Sequence, residues 1–305
     1  MLATLLPEPP FYFPMRHGRY DVAPGLMKFV KDLGGGDADA RAFQIDSTFD
    51  RFRAAKLASR GERPGKYVCS SDLSDAVAGE IAAFVVSRLI TEYPSRFARD
   101  GASLRCALTG ETLALDSGQV TTTLDALACQ VQEDLAIVST SPDGKHWLSY
   151  AHICLPNGWA PAEKIGRSFA AIHEPVAGMT EMNRREEEFA NIMVRATDGL
   201  VRFAWGVTFD DELNHHPDRS RTVFDPSRPR AFLRVERQTI WGFPRRGAAL
   251  FTIRTYLYDC ADLRRDPATR QPLVAALRSM SPESLVYKGL APHADDLIKW
   301  LERAG

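Results

Sequence analysis

The spacing of apolar residues predicts helices towards both ends of the chain and β-strands in its middle. Over residues 71–97 apolar side chains recur at steps of three and four, which predicts a helix that begins at Asp72 or Ser74. The same spacing predicts two closing helices at residues 268–279 and 294–304. These helices flank a central part of the chain in which apolar residues recur at a shorter spacing.

Between these helices, apolar and polar residues alternate in short runs that predict β-strands. The predicted strands cover residues 127–140, 146–155, 201–208, 232–240 and 249–258. The first two form a hairpin around Pro142-Asp143-Gly144, and the last two are joined by the loop that runs from Gly242 to Gly247.

Two further helices, at residues 161–173 and 181–197, connect the first pair of strands to the last three. This order of elements is that of a PAS domain, in which helices cup a cofactor against one face of an antiparallel sheet. We therefore expect an α+β protein with an N-terminal arm and helical region at residues 1–100. A PAS-like domain with closing helices would follow at residues 101–305, and one continuous domain is the alternative.

Composition and charge narrow the function classes. The 305 residues are 45% hydrophobic and 25% charged, and 38 basic residues balance 39 acidic ones, which argues against a nucleic-acid partner. The chain contains no apolar run long enough for a membrane span and no recognisable signal peptide, so we expect a cytoplasmic protein. Its five cysteines include no C-x-x-C pair, which argues against a disulfide scaffold, a structural zinc site and a cysteine-ligated iron–sulfur cluster.

His173 is the first candidate for chemistry. It lies at the end of the helix predicted at residues 161–173, at the edge of the apolar face that carries Phe169 and Ile172, and Pro175 ends the helix. An imidazole held there could bind a metal or a cofactor. A lone histidine on an apolar face is usually a hydrogen-bonded core residue, so the spacing leaves both interpretations open. His152, on a predicted strand, is the rival ligand.

Two predicted strands carry an unusual number of charged residues. A period of two places Arg234 and Glu236 on one side of the strand and Arg237 on the other, so Glu236 and Arg237 do not enter one pocket without a bulge. The neighbouring strand carries Arg254 and Tyr256 on one side. A solvated sheet face is one explanation. If these side chains are buried, water or an anionic ligand has to satisfy them.

Several segments between residues 90 and 290 together resemble the heme-binding (alpha) subunit family of heme-dependent oxidative N-demethylases. They are Tyr93-Pro94 with Phe97, Val131–Leu135, Ala151–Pro156 with Trp159, Glu163–Gly166, Ile172-His173 with Pro175-Val176, Arg234–Thr239, Phe251–Tyr256 and Tyr287–Leu290. The chain departs from the family pattern at Ala177, where a proline is expected, and at Ala204, where a more polar residue is expected.

This resemblance implies a PAS-like fold that holds heme b and oxidises a secondary methylamine such as dimethylamine with dioxygen, releasing formaldehyde. It implies NADPH as the electron source, with FMN and an iron–sulfur cluster on separate reductase subunits. The resemblance also implies His173 as the axial ligand of the heme iron, with His152 as the rival. Arg234, Arg237 and Arg254 would bind the heme, the last two through its propionates.

For catalysis, the resemblance implies that Glu236 is the counter-ion or proton acceptor of the substrate amine and that Tyr256 donates a hydrogen bond to oxygen bound at the iron. Two alternatives from other classes remain open. One is a heme-based gas or redox sensor with the same ligand, and the other is a relative that has lost heme and acts as a binding or scaffold protein.

Overall fold

A computed structural model describes residues 5–22, 25–29, 32–116 and 118–303. The strands are β1 (Met27–Lys28), β2 (Val68–Ser70), β3 (Phe97–Asp100), β4 (Ser103–Cys106), β5 (Thr112–Ala114), β6 (Asp134–Thr140), β7 (His146–His152), β8 (Leu200–Thr208), β9 (Phe232–Phe243) and β10 (Ala248–Asp259). The helices are α1 (Phe49–Glu62), α2 (Asp75–Glu92), α3 (Val120–Ala128), α4 (Pro161–Lys164), α5 (Phe169–His173), α6 (Thr180–Arg184), α7 (Glu186–Arg195), α8 (Cys260–Leu263), α9 (Pro267–Arg278), α10 (Pro282–Tyr287) and α11 (Ala294–Glu302). The predicted α+β class is confirmed.

Seven strands form one antiparallel sheet in the order β1-β8-β9-β10-β6-β7-β2, and β3, β4 and β5 form a small second sheet. The long hairpin of β9 and β10 occupies the centre of the large sheet, with Arg237 opposite Arg254 and Thr239 opposite Thr252. Edge strands β1 and β2 come from the N-terminal region, so the first hundred residues complete the sheet of the later ones.

Both predicted hairpins are present. In the first, Ser141 closes the turn by donating its backbone N–H to the carbonyl of Lys145, at 2.8 Å. In the second, Gly247 has a φ of 58°, a left-handed conformation that favours glycine, and it begins the return of the chain into β10. The residues of each turn are adjacent in sequence and interrupt the alternation of apolar and polar residues. Both hairpins could therefore be located from the sequence.

The helix predicted at residues 161–173 is wrong as one element. Gly166 has a φ of 77° and breaks it into α4 and α5. In the break, the backbone N–H of Gly166 bonds the carbonyl of Leu148, and the N–H of Leu148 bonds the carbonyl of Arg167. The chain therefore pairs with β7 between the helices, and α5 restarts at Ser168, whose hydroxyl caps its N-terminus.

The strand predicted at residues 127–140 starts late. Leu124, Leu127 and Ala128 are buried in α3, with Val131 just beyond its end, and strand β6 begins only at Asp134. An apolar run of this length fits a buried helix and a buried strand equally well, so sequence did not separate the two. The helix predicted at residues 181–197 is likewise divided into α6 and α7.

The other helices agree more closely with their predictions. Ser74 caps α2 through a hydrogen bond from the backbone N–H of Val77. Helix α9 matches its predicted range to within one residue, and α11 ends at Glu302; the predicted end at Ala304 lies outside the described residues.

The large sheet is covered on both faces. One face, here called the core face, packs against α2, α3, α9 and α11 and carries the largest apolar clusters. The other face, here called the cavity face, packs against the segment that holds α4 to α7. Gly242 allows the closest approach there, because a Cβ atom on it would lie 2.3 Å from the carbonyl oxygen of Val194 in α7.

Candidate functional site

A cavity of about 420 Å³ lies between the cavity face of the sheet and the α4 to α7 segment. The sheet lines it with Ala136, Val138, Ile240, Phe251 and Ile253. The helical segment lines it with Trp159, Phe169, Ile172, His173, Met179, Met182, Phe189 and Met193. This size falls in the range of small-molecule sites, about 300 to 1,000 Å³, and the lining is mainly apolar with a few polar groups, as such sites commonly are.

His173 reaches the cavity with one ring nitrogen already occupied. Its Nδ1 lies 2.8 Å from the carbonyl oxygen of Phe169, one turn earlier in α5. A carbonyl only accepts hydrogen bonds, so Nδ1 carries the proton and Nε2 keeps its lone pair. The ring also packs on that of Phe169, with 4.1 Å between centroids. This arrangement leaves Nε2 available as a ligand atom.

The surroundings of His173 keep it neutral. Burial, with the nearby cations Arg202 and Lys164, lowers the pKa of His173 to about 4, although the hydrogen bond to Phe169 opposes the change. At neutral pH the imidazole is therefore uncharged, which is the form that binds a metal.

Glu236 and Gln238 project from β9 into the same cavity. The amide of Gln238 donates a hydrogen bond to Oε2 of Glu236 at 3.1 Å, and Nε of Arg234 lies 3.4 Å from Oε1. The Glu236 side chain is 14% exposed, so its charge is held close to the cavity and away from bulk water. Such a carboxylate can accept a proton or bind a cation inside the cavity.

Two cations line the cavity as well. Arg202 of β8 lies next to Gln238 in the sheet register, and its Nε is buried without a hydrogen-bond partner among the described residues. Lys164 ends α4. Burial lowers the pKa of both side chains, with Glu236 opposing the change at Arg202. A buried cation without a partner is costly, so this part of the cavity suits an anionic group.

A second histidine, His146 of β7, also lines the cavity. Both of its ring nitrogens are buried without a hydrogen bond in the described structure, although Nε2 lies 3.3 Å from a carboxylate oxygen of Glu186. The cavity therefore contains two imidazoles, of which only that of His173 is oriented by a backbone carbonyl.

Arg237, Arg254 and Tyr256 project from the core face, away from the cavity. Arg254 forms an ion pair with Asp46, and the hydroxyl of Tyr256 donates to the side-chain carbonyl of Gln44. The anion that neutralises Arg254 thus belongs to this chain and is not a ligand. The alternation of strand β9 explains the separation, since it places Glu236 and Arg237 on opposite faces, as the sequence indicated.

Arg234 is on the cavity face but is fully engaged by the protein. Its guanidinium donates to the carbonyl oxygens of Leu213 and Leu155, to the hydroxyl of Thr255 and to Glu236. It therefore orients Glu236 and does not itself line the cavity.

His152, the rival ligand, lies on the core face. It is completely buried between α3 and the strands, with Asp125, Cys129 and Cys154 around its ring. Its nitrogens do not face the cavity.

Sequence reasoning missed Arg202, Lys164 and His146 as cavity residues. A signal was present for Arg202, because pairing β8 with β9 aligns it with Gln238 on the face of Glu236. That pairing is not local, and no pattern within β8 specifies it.

None of the described helices is both long enough and apolar enough to cross a membrane. Residues 37–298 match the family model described as haem-dependent oxidative N-demethylase, alpha subunit-like. The match covers most of the chain and includes every strand of the large sheet except β1. The chain therefore belongs to the haem-dependent oxidative N-demethylase alpha subunit-like family.

Proposed function

We propose that this protein binds heme b in the cavity through Nε2 of His173 and oxidatively demethylates a small secondary amine there. The observation that carries the proposal is the anchored imidazole. The bond from Nδ1 to the carbonyl of Phe169 sets the tautomer and the ring orientation, and Nε2 is left free at the cavity.

The remaining lining fits heme in chemistry. Apolar and thioether side chains suit the face of a porphyrin, and the cations Arg202 and Lys164 suit its two carboxylates. We assign the carboxylates to these residues instead of Arg237 and Arg254, because the latter are on the core face. The family description and the antiparallel sheet, with the α4 to α7 segment over its cavity face, support a PAS-like arrangement.

When bound, heme supplies the activation of dioxygen and the one-electron chemistry that amino-acid side chains lack. The balanced reaction converts a secondary methylamine, dioxygen, two electrons and two protons into the demethylated amine, formaldehyde and water. The family description names an alpha subunit, which supports electron delivery from separate subunits. We assign NADPH, FMN and the iron–sulfur cluster to those subunits.

Glu236 is proposed to accept the proton of the substrate ammonium. Its carboxylate is oriented by Gln238 and Arg234, and it faces the cavity. The cations Arg202 and Arg234 nearby disfavour a second positive charge, so they favour the neutral amine once the proton has left. Ala204 also lines the cavity, so its departure from the family pattern bears on the shape of the amine that is accepted.

Absorbance spectroscopy tests the ligand. We expect a Soret band in the wild-type protein, its loss in His173→Ala and its partial return when imidazole is added. The matched variants His146→Ala and His152→Ala should retain the band. Loss of the band in His146→Ala with retention in His173→Ala would transfer the axial role to His146.

Turnover separates an enzyme from a heme sensor. Formaldehyde release from a panel of methylated amines, with a reductase supplied, should be observed in the wild type. In Glu236→Gln kcat should fall by about 10²- to 10⁴-fold while the Soret band is retained, since general-base catalysis has this magnitude. A heme-loaded protein that releases no formaldehyde from any amine would favour the sensor.

A further inference from the structure

A second group of ligand-type side chains lies on the core face, apart from the proposed heme site. Asp125 and Cys129 are four residues apart at the C-terminal end of α3, and therefore lie on one side of the helix. Across from them, His152 ends β7. Nε2 of His152 is 3.2 Å from Oδ1 of Asp125 and 3.8 Å from Sγ of Cys129, and all three atoms lie within 4.8 Å of one another.

Two of these separations are close to those of ligands around one tetrahedral ion. Zinc binds histidine nitrogen and carboxylate oxygen at about 2.0–2.2 Å and thiolate sulfur at about 2.3 Å. At tetrahedral angles, those lengths give a nitrogen–oxygen separation of about 3.3 Å and a nitrogen–sulfur separation of about 3.5 Å. The distances from Nε2 of His152 to Oδ1 of Asp125 and to Sγ of Cys129 differ from these values by a few tenths of an ångström.

The two oxygens of Asp125 have different neighbours. Oδ2 accepts from Arg60, whereas Oδ1 is buried and lies 3.2 Å from Nε2 of His152. When the proton of the imidazole is on Nδ1, Nε2 donates nothing to Oδ1, and the two atoms face each other as acceptors. A cation between Asp125, Cys129 and His152 would satisfy both of them.

The imidazole of His152 is also held as a ligand would be. Nδ1 lies 3.7 Å from Sγ of Cys154, on the opposite edge of the ring from Asp125 and Cys129. A proton on Nδ1 directed at that sulfur leaves the lone pair of Nε2 pointing at the other two side chains. The contact with Cys154 permits the tautomer that the carbonyl of Phe169 imposes on His173, because a thiol can accept as well as donate.

The charges at the cluster are compatible with a divalent ion. Burial lowers the pKa of His152, so its ring is neutral, and burial raises the pKa of Cys129, although Lys56 and Arg60 oppose that change. A metal would displace the thiol proton into solvent. The resulting thiolate and the carboxylate of Asp125, which also pairs with Arg60, then supply the negative charge beside the ion.

We propose that Asp125, Cys129 and His152 form a divalent-cation site, with Zn²⁺ as the favoured metal. Zinc is favoured because the set combines one sulfur, one nitrogen and one oxygen donor, all of which zinc binds. The Asp125 side chain is 20% exposed, so a water molecule can reach the fourth position. The ion would link α3 to β7. The absence of a C-x-x-C pair argued against a zinc site, but this set contains a single cysteine and comes from two separate elements.

Metal content of the holoprotein tests the proposal independently of heme. After removal of metals with a chelator, equilibrium dialysis against Zn²⁺ followed by elemental analysis should give one zinc per chain. Asp125→Asn and Cys129→Ala should each weaken zinc binding by roughly 100-fold, because the first removes the negative charge of one ligand and the second removes a ligand. The control Cys106→Ala, at a buried cysteine outside the cluster, should bind zinc as the wild type does.

X-ray absorption at the zinc edge should then show one sulfur ligand at about 2.3 Å with nitrogen or oxygen ligands at about 2.0 Å. In the wild type, zinc should also raise the Tm, and the rise should vanish in Asp125→Asn, whose partly exposed position favours folding. Failure to bind zinc, or equal binding in wild type and Asp125→Asn, would overturn the site. The Soret band reports separately on His173, so either proposal can fail alone.

Discussion

Two arginines on opposite faces of the seven-stranded sheet, Arg254 and Arg202, differ in how their charges are satisfied. On the core face, Arg254 is buried and paired with Asp46, and its guanidinium also stacks over Phe52 at 4.1 Å. On the cavity face, Nε of Arg202 is buried without a hydrogen-bond partner among the described residues, and an open space of about 420 Å³ lies beside it. Arginine thus forms a buried ion pair on one face and lines an open cavity on the other.

The two histidines show the same difference. His152 is fully buried, with polar side chains at both ring nitrogens, whereas His173 is anchored at one nitrogen and open at the other. The open space beside Nε2 of His173 distinguishes this proposed heme ligand from His152, which lies in an enclosed cluster of side chains. Three experiments on these faces follow in decreasing order of expected effect.

The largest effect is expected from Arg254→Ala. Removing one partner of a buried ion pair leaves Asp46 charged without a counter-ion, and the free energy of unfolding should fall by about 3–5 kcal/mol. Urea denaturation measures it. The control Arg246→Ala breaks an exposed pair with Glu80 and should change the free energy by at most about 1 kcal/mol. Loss of heme from Arg254→Ala without a loss of stability would instead support a role of Arg254 at the propionates.

An intermediate effect is expected when the pH is lowered and the free energy of unfolding of the heme-free protein is measured. The pKa of His173 is about 4 in the folded state against an ordinary value of 6.5, so between these pH values the unfolded chain takes up more protons. The free energy of unfolding should therefore fall as the pH falls from about 6.5 to 4, by at most about 3 kcal/mol from this residue.

Urea denaturation at several pH values, with wild type and His173→Gln compared, isolates that contribution. The glutamine does not titrate, so the variant should lose less stability in the same window. Equal slopes for the two proteins would show that His173 is not protected from protonation by burial.

The smallest effect is expected from Arg202→Met. If Arg202 neutralises a heme carboxylate, the variant should bind heme about 10- to 100-fold more weakly, as expected for one charge-assisted interaction. Heme titration followed at the Soret band measures this. The stability of the heme-free protein should be unchanged or higher, since a buried unpaired cation is removed. The control Arg195→Met, at an exposed position in α7, should leave heme affinity unchanged.

Local patterns predicted the central hairpins well. The alternation in β9 and β10 and the tight turn at Gly247 involve neighbouring residues, so the strands could be located to within a few positions. No bounds were predicted for the short strands β1 to β5, because each has two to four residues and forms through pairing with distant or irregular segments. The break of the α4–α5 segment at Gly166 was missed because its pairing with Leu148 is also not local.

The site shows the same difference between residues that local patterns predict and residues that depend on pairing between distant segments. His173 and Glu236, singled out from helical position and strand parity, both line the cavity. The arginines were not assigned to the right face of the sheet. A guanidinium in a strand has the same sequence pattern whether a carboxylate of the chain or a ligand neutralises it, so Arg254 could not be distinguished from Arg202.

The sequence by itself determined the α+β class, the family, the two long hairpins and the opposite orientations of Glu236 and Arg237, because these depend on period and on motif order. The tertiary structure decided which face of the sheet encloses the cavity, which cations lack a partner there, and that Asp125 and Cys129 meet His152. Those properties depend on strand pairing and on packing between distant segments, where burial determines whether a charge is satisfied by the chain or left for a ligand.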